Sequence, residues 1–247
     1  EITSDMGGFW REITGDSQLR WVGPDKGVIH MATAAVVNAV WDLFAKMEQK
    51  PLWKLLLSLE SAEIVSLIDF SYLEDLLTAD QAMEILDSKR DTRHERLGIL
   101  DEGYPGYDTS VGWFQYSNDQ IRDNALKAVE AGFQAMKLKV GSSDPRKDIS
   151  RIGMIREAVG PEMRLMVDIN AGYNLHEARR AAKLWSSFDI FWLEEPLMPA
   201  HVDALADLRQ CIDIPIAAGE NEFFAEGFHE LFGNRAVDVA MPDIGRA

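Results

Sequence analysis

The amino-acid sequence predicts an α/β protein whose larger part is a β/α barrel. Three observations lead there. Beyond residue 103, short apolar runs alternate strictly with amphipathic helical segments, the pattern of a parallel sheet. Acidic residues close several of these runs at one repeat spacing. No G-x-G-x-x-G follows the early runs, which disfavours an open nucleotide-binding sheet, whereas polar groups at many strand ends are what a barrel uses for chemistry.

The elements follow in order. From Val28 to Leu56 the chain is apolar at helical spacing, with Ala35, Val36, Ala39, Val40, Leu43 and Phe44 on one side; Lys50-Pro51 interrupts it, predicting two packed helices. Glu63 to Arg96 is mixed and rich in charge, and Asp101-Glu102-Gly103-Tyr104-Pro105-Gly106 supplies turn residues, so a domain boundary is placed near residue 103. Residues 1–103 form a partial, mainly helical N-terminal domain and 104–247 six strands of the barrel. The strands are expected at Tyr107 to Ser110, Ala135 to Val140, Arg164 to Ile169, Asp189 to Glu195, Ile214 to Glu220 and Val237 to Asp243. Asp119 to Ala131, Asp148 to Val159, His176 to Phe188 and His201 to Ile212 carry helical patterns between them.

Composition narrows the partners. A formal charge of −16 over 247 residues argues against nucleic acid, whose binders present a basic face. The one cysteine, Cys211, can form no internal disulfide and, beside Ile212, reads as a buried spacer; a reducing cytoplasm fits best. No apolar run reaches the length of a membrane span, and Glu1-Ile2-Thr3-Ser4-Asp5 is not the basic opening of a signal peptide, so a soluble protein without membrane partners is expected. The missing initial methionine and the stop just after an apparent strand suggest that both ends continue further.

The chemistry lies at the strand ends. Asp168 closes Leu165-Met166-Val167, Glu194 closes Phe191-Trp192-Leu193, and Glu220 follows Ala217-Ala218-Gly219, each 26 residues from the next. Equal spacing places them at similar height on adjacent strands, sharing faces with Met166, Trp192 and Ala218. Clustered carboxylates repel one another and raise each other's pKa, and a hard divalent cation relieves that through oxygen ligands, with Mg²⁺ the natural occupant. One strand earlier, Lys137 and Lys139 share a parity. An exposed lysine-decorated rim is one reading of them. Two ammonium groups crowded near a metal, one of them brought into the range of a general base, is the other, and the neighbouring acids favour it. Glu195 has the opposite parity to Glu194 and should face away, supporting the ligand residues from behind or serving the fold.

These residues, in the order Lys137-Leu138-Lys139, Val167-Asp168-Ile169-Asn170, Trp192-Leu193-Glu194-Glu195-Pro196, Gly219-Glu220-Asn221 and Ala240-Met241-Pro242-Asp243, resemble the mandelate racemase subgroup of the enolase superfamily. The run from Asp16 to Trp21, continuing through Gly23-Pro24 to His30, and Tyr107-Asp108-Thr109-Ser110 with Gly112-Trp113, are similar to the acid-sugar dehydratases of the L-fuconate type. The resemblance implies an enolase-type barrel, truncated here, preceded by part of an α+β capping domain. It implies a hydro-lyase in which Asp168, Glu194 and Glu220 bind Mg²⁺, the cation holds the carboxylate of an acid sugar and stabilises the enediolate, Lys139 is the base, Lys137 tunes it, and Asn170 contacts substrate or a metal ligand. The pairing of a Lys base with Mg²⁺ in this superfamily is itself a standard example of pKa tuning. Asp243 would orient a histidine on a following strand; His30, His94, His176, His201 and His229 lie in helices or loops and do not replace it. The product would be a 2-keto-3-deoxy acid, with racemisation or epimerisation of a 2-hydroxy acid, or a catalytically silent metal-binding chain, as alternatives. Family habit implies a homo-oligomer.

Overall fold

A computed structural model of the chain describes residues 4–23, 25–73, 75–101 and 103–245. They divide into two compact units. One comprises the chain up to Tyr104 with Phe223–Ala225 and the segment from Ile244; the other comprises Pro105–Glu222 and Glu226–Asp243.

The first unit is helical: α1 Met6–Thr14, α2 His30–Met47, α3 Leu52–Ser58, α4 Ser61–Leu67, α5 Ala79–Ser88 and α6 Arg93–Asp101. Pro51 stands at the N-cap of α3, so the expected break between two helices falls where proline cannot extend the first. The charge-rich stretch after Glu60 resolves into short helices with reciprocal caps, Glu60 with Glu63 at α4 and Thr78 with Gln81 at α5.

Two expectations need correction in the light of the structure. The 22-residue stretch Lys26–Met47 is long and apolar enough to cross a membrane by length and composition, and only 11% of it is buried. Counting unbroken apolar runs missed it, because Thr33, Asn38 and Asp42 interrupt the run without ending the helix. Core helices pass the same test. Cys211 is exposed, not buried: α10 Val202–Arg209 ends two residues earlier, and the thiol lies on the following turn, accepting a hydrogen bond from Arg179 at 3.2 Å.

The second unit is a parallel sheet in chain order: β1 Asp108–Gly112, β2 Ala135–Lys139, β3 Arg164–Asp168, β4 Ile190–Glu194, β5 Ile216–Ala218 and β6 Val239–Ala240. Between successive strands run α7 Asn118–Glu130, α8 Arg146–Val159, α9 Leu175–Trp185, α10, and α11 Phe224–Gly233. Strand following strand with a helix between is the β/α order that the alternation predicts, and among the described residues the sheet is open, with β1 and β6 at its edges. Its core is fully buried and mostly aliphatic: Met136, Leu138, Leu165, Val167, Leu193 and Ile216 on strands, packed by Ile121, Ile152, Ile155, Trp185 and Leu208 of the helices. Burial of the strands on both faces explains why they read as continuous apolar runs. Arg156 fastens strand entrances to one another, donating to the carbonyls of Phe188 (2.9 Å), Gly160 (2.9 Å), Met163 (2.6 Å) and Asp189 (2.8 Å).

Candidate active site at the strand ends

Register decides which polar groups meet. Lys139 on β2 lies beside Asp168 on β3, and Asp168 lies beside Glu194 on β4. A one-residue irregularity in the β3–β4 pairing, between Leu165/Ile190 and Val167/Leu193, brings the two acids level. Both lysines are buried, at 7% and 8% exposure, and Asp168 and Glu194 are wholly buried. Of the two readings of the lysine pair, the exposed rim is therefore excluded by the structure.

Buried charges must be paired. Lys137 donates to Glu194 Oε1 and lies 3.4 Å from Asp168 Oδ2, while Lys139 donates to Asp168 Oδ2 and, at 2.7 Å, to Asn170 Oδ1. The second oxygen of Glu194 accepts the indole N–H of Trp192 at 2.9 Å, and Asp168 Oδ1 accepts the backbone N–H of Asn170 at 2.9 Å. Asn170 adopts a left-handed backbone (φ 51°), which asparagine tolerates better than most residues, and this turns its side chain back to Lys139. Aromatic rings cover the ammonium groups: Tyr107 lies 5.5 Å from Lys137 Nζ and Trp113 lies 5.3 Å from Lys139 Nζ. Tyr107 also meets Trp192 edge-on at 5.9 Å.

The electrostatics follow from this geometry. Burial pushes the Lys137 ammonium down, but the hydrogen bond to Glu194 and the charges of Glu194, Asp168 and Tyr107 outweigh it and hold its pKa above the ordinary lysine value. The carboxylates that Lys137 faces thus hold it charged. Burial and the charge of Asp168 raise Glu194 against the opposing effects of Lys137 and Trp192.

Glu220 is placed differently from the sequence expectation. Equal spacing put it level with Glu194, but the β5 residue beside Glu194 is Ala217, so Glu220 stands three residues further on, half-exposed in the turn after the strand. The β4–α10–β5 unit spans 23 residues at this level where the preceding unit spans 26, a difference that spacing of the acids alone conceals. Among the described residues no three acids, histidines or cysteines are gathered into a metal-binding group. Asp243 follows β6 in an exposed stretch, and none of the five histidines lies on a strand.

Glu195 takes the supporting part that its opposite parity implied. It is 2% exposed, and its Oε1 accepts the backbone N–H groups of Gly219 (2.7 Å) and Glu220 (3.2 Å), fixing the turn that carries Glu220. Burial lifts its pKa to about 7 despite those two donors, with the charges of Glu220 and Asp168 adding to the rise. The aromatic cover of Tyr107, Trp113 and Trp192 was also missed as a group; the alternation that puts Trp192 on the face of Glu194 was the available signal.

Residues 120–247 match the enolase C-terminal domain-like family. Human mitochondrial enolase superfamily member 1 is 42% identical over 247 residues, covering 98% of this chain and 56% of that protein. The chain belongs to the enolase superfamily. Its likeness to the crystal structure of that human protein has a TM-score of 0.86 at 40% identity, over 99% of this chain and 56% of the other. L-galactonate dehydratase of Hypocrea jecorina is 35% identical, covering 99% of this chain and 56% of its own length. A crystal structure of L-talarate dehydratase from Polaromonas sp. JS666, complexed with Mg and L-glucarate, is similar at 34% identity and a TM-score of 0.58, covering 68% of this chain and 48% of that one. This enolase superfamily chain thus spans about half the length of the curated relatives it matches.

Proposed function

We propose that the protein serves Mg²⁺-dependent dehydration of an acid sugar to a 2-keto-3-deoxy acid. The observation that carries this reading is the register-matched, buried row of Lys139, Asp168 and Glu194, with Lys137 bridging the two acids. Relatives named as L-galactonate, L-talarate/galactarate and arabinonate dehydratases support the reaction class, and the Mg in the L-talarate dehydratase complex supports the cation.

The donor set fits a hard cation. Asp168 and Glu194 offer carboxylate oxygens only, and the point between them already holds the positive charge of Lys137. We assign these two residues as ligands, with Glu220, on the turn held by Glu195, as the third. When bound, the cation supplies a Lewis-acidic partner for the substrate carboxylate. The remaining work falls to the chain. Lys139, aligned by Asn170 Oδ1, takes the proton from the α-carbon, and Lys137 binds the substrate carboxylate from the same strand face. Trp113 and Tyr107 shield both ammonium groups from water. Loss of the α-proton with departure of the β-hydroxyl as water leaves an enol that reverts to the keto acid. By the family resemblance, Asp243 would orient a histidine on a following strand, and that histidine would protonate the departing hydroxyl.

Calorimetric titration of the chain and its Glu194→Gln variant with Mg²⁺ tests the cation site. Saturable binding that the variant loses supports it, and equal binding by both refutes it. Incubation with acid sugars and trapping with semicarbazide tests the chemistry: a semicarbazone supports dehydration, whereas inversion of the α-centre without keto acid replaces it with epimerisation.

A further inference from the structure

Within the helical unit a groove of about 220 Å³ opens between α3, α4, α5 and α6. Its floor is apolar, formed by Leu57, Ile64, Ile85, Leu86 and Leu97, and its rim carries Lys89, Arg90, Arg93 and Arg96. No acidic side chain is among the residues lining it, in a chain where 41 acids outnumber 25 basic residues. The local sign is therefore opposite to that of the whole molecule.

The cations are only partly satisfied. Arg90 pairs with Glu60 across the groove's edge. Arg93 donates to the carbonyl of Leu59 at 3.0 Å and Arg96 to the carbonyl of Lys89 at 2.7 Å; neither guanidinium meets a carboxylate among the described residues. A guanidinium has five N–H donors, so each of these two keeps most of its hydrogen-bonding capacity. The nearby Asp87 is engaged by the Ser61 hydroxyl at 2.6 Å. Ile85, meanwhile, is 53% exposed on the apolar floor, an unfavourable placement that a bound hydrocarbon would relieve.

From this juxtaposition we infer that the groove is a binding site for an amphipathic organic anion, a carboxylate with an aliphatic chain. Arg93 and Arg96 hold the carboxylate and the leucine–isoleucine floor takes the chain. The site belongs to the helical unit alone and does not depend on the proposed reaction.

Octanoate is the probe, titrated calorimetrically into the full chain, with octan-1-ol and inorganic phosphate as the apolar-only and charge-only comparisons. Saturable octanoate binding, at least about tenfold tighter than either comparison, is expected, since a charge-assisted hydrogen bond and burial of the chain each contribute on that scale. Two variants locate it. Arg96→Gln should weaken octanoate about tenfold or more. Ile85→Glu, a change at an exposed position that circular dichroism will show to leave the helices intact, should abolish binding by setting a carboxylate against the ligand's own. Absence of saturable binding, octanol binding as tightly as octanoate, phosphate doing so, or octanoate binding undiminished in Ile85→Glu would each overturn the assignment; the last would place the anion at the lysines of the sheet unit instead.

Discussion

Replacing Lys137 by Met removes a buried cation while keeping most of the side chain's volume. In the structure its ammonium serves Glu194 directly and Asp168 at 3.4 Å, and both acids are fully buried. Removing one member of a buried ion pair costs about 3–5 kcal/mol, because the other charge is left uncompensated. Here the remaining partners blunt the loss: Asp168 keeps Lys139 and the Asn170 N–H, and Glu194 keeps the Trp192 indole. The lower end, about 3 kcal/mol, is therefore expected for Lys137→Met in EDTA, read from urea unfolding by tryptophan fluorescence. If the two carboxylates form the cation site, Mg²⁺ should return most of this loss, since a ligand at a hundred times its Kd stabilises by about 2.7 kcal/mol. The unsubstituted chain should gain less, because its Lys137 competes for the same oxygens. A variant within about 1 kcal/mol of the parent in EDTA would refute the uncompensated-charge argument. A full loss that saturating Mg²⁺ leaves unchanged would refute the cation site.

Arg156→Lys should destabilise the sheet unit by about 2–3 kcal/mol in the same assay, since an ammonium cannot reach the four carbonyls that the guanidinium fork serves; a change below about 0.5 kcal/mol would show that water replaces those bonds. At Asp238, burial pushes the carboxyl up, but the hydrogen bonds from Arg209 and from the Ile216 N–H, with the Arg209 charge, outweigh it and hold the pKa below the usual carboxylate value. A depressed folded-state pKa gives stability that is present above the unfolded value, near 4, and lost as pH falls through the folded one. At this exposed, solvent-screened pair Asp238→Asn should therefore cost less than about 1 kcal/mol at neutral pH, with the gap to the parent closing as unfolding is measured at progressively lower pH; a gap that stays constant down to strong acid would contradict the ionic origin.

Much of the sheet unit was legible because its signals are local. Parity alone put Lys137 with Lys139 and Trp192 with Glu194, and apolar runs located six strands to within a few residues. What failed depends on lengths and neighbours that a single strand does not display. Glu220 was misplaced because the level of one strand against the next is set by the whole intervening β/α unit, and the unit before β5 is three residues shorter than the spacing of the acids suggests. The rings over the lysines come from the residues on either side of β1, and nothing in Tyr107 or Trp113 names the strand they will face. In the helical unit, helices of seven to ten residues show too few turns for periodicity, although the reciprocal caps at Glu60/Glu63 and Thr78/Gln81 mark their starts.

The adjacent acids Glu194 and Glu195 show how one residue of register separates two kinds of work. Glu194 ends the strand with its carboxylate on Lys137; Glu195, at φ 40°, leaves the strand in a left-handed turn and sends its carboxylate to the backbone of Gly219 and Glu220. The second task needs an acceptor oxygen, not a charge, and burial with the neighbouring charges of Glu220 and Asp168 works against a full negative charge there. Gln supplies the same acceptor in nearly the same place. Glu195→Gln should accordingly cost less than about 1 kcal/mol and leave Mg²⁺ affinity near that of the parent, whereas Glu195→Ala should lose about 1–3 kcal/mol, since the buried N–H of Gly219 and the part-buried N–H of Glu220 are left without their acceptor. It should also weaken Mg²⁺, since Glu220 then rides on an untethered turn. Equal Mg²⁺ affinities in the two variants would mean that the turn holds its shape without Glu195. A Gln variant as impaired as the Ala variant would mean that the negative charge itself is needed there.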